Sequence, residues 1–196
     1  MTRGDKMTKF ILHGGFARKD NELNHAFYKE CVHDITNGAN VLIVPFARQE
    51  CYTLESFTEQ VDLFKAQAQN KNLNFILATE EKFPSQIKES NVIYLGGGST
   101  RKLLSTLQKY PNIKTLMGGK TIAGSSAGAY VLVTFGASHS EEVVREGLGL
   151  VPIRLICHYE SLDEPPNALS VSMLKNTAPD LELLFLRDFE WKVFTY

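Results

Sequence analysis

Through the first two thirds of the chain, short unbroken apolar runs alternate with longer stretches in which apolar residues recur every three or four positions. The runs KFILH (9–13), NVLIVPF (40–46), NFILA (74–78), NVIYLGGG (91–98) and KTIAG (120–124) predict buried parallel strands, because a strand covered on both faces does not alternate polar with apolar. Helices are predicted between them. Residues 22–36 carry Leu23, Ala26, Phe27, Cys31, Val32 and Ile35 on one stripe. Residues 53–68 open on a threonine cap and repeat at Leu54, Phe57, Val61 and Phe64, and 100–110 repeat at Leu103, Leu104 and Leu107. Such alternation implies a parallel sheet with right-handed crossovers and helices on both faces. Ligands of such sheets sit beyond the C-terminal strand ends, so strand-end residues are where chemistry is sought.

The last third reads differently. LELLFL (181–186) and WKVFTY (191–196) predict two late strands joined by a hairpin or bend at RDFE, and DEPPN (163–167) predicts a surface loop. Neither a repeat nor a linker interrupts the pattern, so residues 1–196 are read as one catalytic domain.

Composition narrows the function classes. Of the 196 residues, 43% are hydrophobic and 22% charged, which suits a globular domain with a sizeable core. Lys and Arg number 21 against 22 Asp and Glu, a net charge of −1. That balance excludes the basic footprint of a nucleic-acid or anionic-membrane partner. The apolar run at Phe10–Leu12 is too short for a signal-peptide core, and no run approaches a membrane span. Cys31, Cys51 and Cys157 are scattered without CxxC spacing. They predict reduced thiols in a cytoplasmic protein, with no disulfide frame, zinc site or other cofactor.

One stretch carries specific chemistry. In IAGSSAGAYV, Gly124, Ser126 and Gly128 satisfy G-x-S-x-G, while Ser125 is one step out of register. A nucleophile on a tight strand-to-helix turn needs tiny residues two before and two after it. The helix beyond then offers unpaired amides to an oxyanion. Here strand-like KTIA precedes and helix-like AGAYVLV (127–133) follows. The GGKT at 118–121 mimics the end of a phosphate-binding loop, but the glycine that motif needs falls at Lys114. LGGGSTRKLL (95–104) follows a strand and precedes a helix, so it reads either as a cradle for an oxyanion or substrate or as a tight connection.

A serine nucleophile needs a base, and the base needs an orienting group. His25 and His33 fall on a predicted helix, His139 in a loop expected to be solvated, and His13 at the end of the first strand. His158 ends the apolar run in IRLICHYE, where a strand end delivers it to the same edge as Ser126. Asp188 follows LELLFL at that edge, and Glu190 lies two residues later. Every good acid after His158 gives the chain order Ser, His, acid, which disfavours the standard α/β-hydrolase fold.

These residues resemble the peptidase E (aspartyl dipeptidase) and cyanophycinase family of serine peptidases. VIYLGGGSTRKLL looks like its glycine turn, usually GGGNT, with Ser99 replacing Asn. IAGSSAGA looks like its nucleophile elbow. GLGLVPIRLICHYE resembles the segment ending in its catalytic histidine, and APDLELLFLRDFEW the stretch with its acidic member. The resemblance implies a three-layer α/β/α sandwich with a mostly parallel sheet, like the class I glutamine amidotransferase domain. It implies Ser126 as nucleophile, His158 as general base and then acid, and Asp188, where the family commonly has Glu, as orienter, with Glu190 as fallback. Gly98 and Ala127 fall where the oxyanion hole forms, and Gly97, Ser99 and Ser125 where substrate is held. Aspartyl-specific members carry an arginine between the histidine and the acid. Here Lys175 is the only cation between Tyr159 and Leu186, and Arg187 comes just afterwards.

The expectation is therefore a serine peptidase that acts on short peptides, dipeptidase-like, as a monomer or homodimer without cofactor. Alternatives are a hydrolase of an ester or isopeptide bond, or a catalytically silent domain of the same fold that binds a small anion.

Overall fold

A computed structural model describes residues 7–196; residues 1–6, part of the segment read above for a targeting signal and of the 1–196 domain, lie outside them. The strands are β1 (Lys9–His13), β2 (Asn40–Val44), β3 (Asn74–Leu77), β4 (Val92–Leu95), β5 (Thr121–Ser125), β6 (Val133–Ala137), β7 (Val144–Glu146), β8 (Val151–Ile156), β9 (Leu183–Phe185) and β10 (Trp191–Thr195). The helices are α1 (Glu22–Cys31), α2 (Leu54–Gln67), α3 (Phe83–Glu89), α4 (Thr100–Leu107), α5 (Ile113–Met117), α6 (Ala127–Tyr130) and α7 (Ala168–Asn176).

Six strands form one sheet in the order β10-β1-β5-β4-β2-β3, parallel except for β10. Successive residues of its inner strands face opposite cores, which is why their sequences show no polar face. Phe10, Leu12, Leu42, Val44, Ile93, Leu95 and Ile122 pack with α3, α4, α5 and the second sheet. Ile11, Val41, Ile43, Val92, Tyr94 and Ala123 pack on the other side against Phe27, Tyr28, Val61 and Phe64 of α1 and α2. The result is the expected three-layer sandwich with a mostly parallel sheet. Among the described residues, no helix is long and apolar enough to cross a membrane.

Local chemistry sets several boundaries. Thr53 caps α2, its side chain accepting the Ser56 N–H. The stripe at 22–36 is helical only to Cys31, because the Lys71 ammonium takes the carbonyls of Val32 and His33 at 2.7 and 2.8 Å and ends the helix there. The expected helix over 127–133 is a single turn. Leu132 O accepts the N–H groups of Leu150 and Val151, and the β-branched residues beyond Tyr130 continue as β6.

The late strands do not pair with each other. A second sheet, in the order β7-β6-β8-β9, sets β9 parallel to β8, while β10 runs antiparallel to β1 in the large sheet. The RDFE segment is thus a bridge between two sheets, and Asp188 lies on it. Arg154 of β8, almost fully buried, fixes the approach to this bridge. Its guanidinium donates to the carbonyls of Leu174, Lys175, Thr177 and Leu181 at 2.8–3.2 Å, tying the end of α7 to the start of β9.

Candidate active site

Ser126 stands between β5 and α6 with φ 51° and ψ −108°, a conformation disfavoured for a side-chain-bearing residue. The turn is possible because nothing larger than hydrogen stands at its flanks. A Cβ on Gly124 would overlap the Gly128 carbonyl and come within 2.7 Å of Ala129 N, and one on Gly128 would overlap the carbonyl of Leu95. The Ser126 N–H donates to His13 O at 2.9 Å, and its own carbonyl accepts from Ala129 and Tyr130. The hydroxyl is left facing the C-terminal edge of the sheet.

Beyond the end of β8, His158 is delivered to that edge, 4% exposed and with φ 54°. The Ser126 hydroxyl donates to its Nε2 at 3.1 Å, and its Nδ1–H donates to Asp188 Oδ1 at 2.7 Å. Only the tautomer with the proton on Nδ1 makes both bonds. Glu190 does not reach the ring. Its carboxylate accepts the Arg187 N–H at 2.9 Å and closes the turn that presents Asp188.

The glycine turn after β4 lies against the elbow. A Cβ placed on Gly97 would be 3.6 Å from that of Ser126. Gly98 has φ +140°, and a side chain there would strike Arg48 and the Ala47 carbonyl at 2.6 and 2.7 Å. The Ser99 N–H is spent on Ala47 O, whereas the Gly98 N–H meets no carbonyl among the described residues. Ala127 opens α6, where the first N–H groups have no intrahelical acceptor.

Serine and imidazole open into a cavity of about 520 Å³. Gly97, Gly98 and Ser125 line it, but Ser99 does not: its hydroxyl caps α4 by accepting the Lys102 N–H at 3.3 Å. Arg18, Lys19 and Arg48 also face the cavity. Arg18 pairs with Glu59, and Lys19 with Asp163 at 3.1 Å while resting on the Phe16 ring. Arg48 has no carboxylate partner among the described residues. Among the described residues, Glu164 is the one carboxylate that lines the cavity, 3.8 Å from His158 Nε2.

The remaining histidines separate clearly. His13 is fully buried, and burial holds its imidazole down to about 4. It approaches Ser125 Oγ at 3.5 Å, not Ser126. His139 is exposed, as expected, yet lines the cavity with its ring 6.0 Å from that of His158. His25 pairs with Asp20 on the surface, and His33 lies past the end of α1.

The sequence signature of peptidase family S51 matches residues 10–193. The chain belongs to that family. It is a serine-type peptidase. No curated protein sequence matches it significantly. Two crystal structures share the S51 chain's fold. A peptidase from an acI-B1 Actinobacterium superposes with a TM-score of 0.70 at 22% identity, covering 99% of this chain and 86% of its own. A putative peptidase E protein from Listeria monocytogenes EGD-e gives 0.62 at 16% identity, covering 97% and 98%.

Some site residues of this S51 peptidase carry little sequence signal. Gly15 has φ +142°, and a Cβ there would overlap the His158 ring, 2.6 Å from Nδ1. Phe16 packs edge-on to the same ring with centroids 5.1 Å apart. The signal that points to them is the glycine pair in HGGF, directly after a strand end at the active edge.

Proposed function

We propose that this S51 peptidase hydrolyses short peptides in a dipeptidase-like manner through Ser126, His158 and Asp188. Ser126 Oγ bonds to the scissile carbonyl carbon as its proton passes to His158 Nε2. The same proton goes to the leaving amine when the C–N bond breaks, and a water activated by His158 then releases the acyl group. Asp188 keeps the imidazole in the productive tautomer and stabilises the imidazolium. The N–H groups of Gly98 and Ala127 receive the oxyanion, each donor worth about 3 kcal/mol. The observation that carries this reading is the continuous chain of hydrogen bonds from Ser126 Oγ through His158 to Asp188, at 3.1 and 2.7 Å.

Action in the cytoplasm is supported by three unpaired cysteines, two of them buried, which suit a reducing compartment. Turnover of a panel of free dipeptides, blocked longer peptides and small esters tests the reading. Cleavage confined to free short peptides supports it, and turnover of esters alone replaces it with an esterase.

A further inference from the structure

Ser126, His158 and Asp188 come from three separate loops, and one short segment touches all three. His13 O accepts the Ser126 N–H at 2.9 Å, and Gly14 O accepts the His158 N–H at 3.0 Å. Gly15 O accepts the Phe189 N–H at 3.1 Å, while the Gly14 N–H donates to Glu190 O at 2.8 Å, bracketing Asp188. Gly15 and Phe16 complete the wall against which the imidazole of His158 stands.

That segment is held in turn by two buried polar side chains that contact neither Ser126 Oγ nor His158. The His13 Nε2–H donates to Asn24 Oδ1 at 2.8 Å, and its Nδ1 accepts the Gly15 N–H at 3.1 Å. Asn24, 1% exposed, uses both amide hydrogens on the loop, donating to Phe16 O at 2.9 Å and Lys19 O at 2.7 Å. Three of these hydrogen bonds fix the backbone at Gly15, Phe16 and Lys19, and the fourth joins the two side chains that make them. Neutral His13 is required, because the Gly15 bond needs a lone pair on Nδ1.

We propose that His13 and Asn24 are positioning residues for the peptidase reaction: through Gly15 and Phe16 they hold the His158 imidazole at the angle from which Nε2 meets Ser126. Displacing a reacting group by about 1 Å costs about 100-fold in rate, so a small relaxation of this loop is kinetically visible. The inference rests on the proposed Ser-His-Asp reading.

The test compares wild type with Asn24→Ala and Asn24→Asp by fluorophosphonate labelling and peptide turnover. The aspartate keeps the acceptor for His13 but loses both donors to the loop. Both variants are expected to lose about 10- to 100-fold in labelling rate constant and in kcat. KM and labelling stoichiometry should be unchanged. A merely structural role lowers the fraction of labelled chains at an unaltered rate constant, and that outcome overturns the inference, as does a wild-type rate in both variants. Wild type that neither labels nor turns over peptides refutes the Ser-His-Asp reading instead. Should neither variant fold, imidazole nitrogen NMR of the wild type decides: the proton of His13 must reside on Nε2 at neutral pH, and a proton on Nδ1 contradicts the network.

Discussion

Gly15 lies against the imidazole of His158, so close that any side chain there would occupy the ring's own volume. The base is thus confined by backbone on one side, by Asp188 at Nδ1 and by the Phe16 edge. Gly15→Ala, at φ +142°, must displace either the loop or the imidazole. We expect about 100-fold loss of kcat with the protein still folded, checked by turnover alongside circular dichroism.

Asp188 and Glu190 are separated by their partners. Asp188→Asn removes the negative charge and offers an amide N–H to Nδ1, which selects the wrong tautomer, and should lower kcat by about 10³- to 10⁴-fold. Glu190→Gln keeps an oxygen for the Arg187 N–H and should stay within about threefold of wild type. Equal losses in the two variants would show that the turn, and not the carboxylate at Nδ1, matters.

His13 makes stability depend on pH. Its folded value is near 4 against an ordinary 6.5, so below pH 6.5 the unfolded chain binds a proton that the folded one refuses. The resulting stability is fully present above pH 6.5 and is lost as pH falls towards 4, up to about 3 kcal/mol. Denaturant midpoints at pH 7 and 4.5 should fall steeply for wild type and less for His13→Gln, which carries no titrating ring. Parallel falls would mean that His13 is not the group responsible.

Arg154 ties β8 to the connection between α7 and β9 through carbonyls alone. Arg154→Met leaves those carbonyls buried without donors and should destabilise by about 3 kcal/mol, read from equilibrium unfolding. An unchanged midpoint would show that water or a neighbour replaces the guanidinium.

Those features of the site that depend on local crowding were legible in the sequence. The spacing of Gly124, Ser126 and Gly128 encodes a close approach that only hydrogen permits, and the register therefore distinguished Ser126 from Ser125. The unbroken apolar runs encode two-sided burial, which is why the inner strands and the layer order could be read. Features that depend on non-local pairing were not legible. The small sheet was only partly legible: β9 and the end of β8 read as strands, but β6 begins in a stretch with helical appearance and β7 is three residues long. β9 and β10 looked like hairpin partners because nothing local records that one pairs with β8 and the other with β1. Asn24 sits on a helix as one polar residue among many, and only the approach of His13 and the 14–19 loop gives it a role.

The central claim is that Ser126 is the nucleophile, activated by His158. Its most direct test is to label the protein with a fluorophosphonate and map the adduct by peptide mass spectrometry. The account predicts a single adduct on Ser126, abolished in Ser126→Ala and strongly slowed in His158→Ala. An unlabelled wild type, or an adduct on Ser125 or elsewhere, would contradict it.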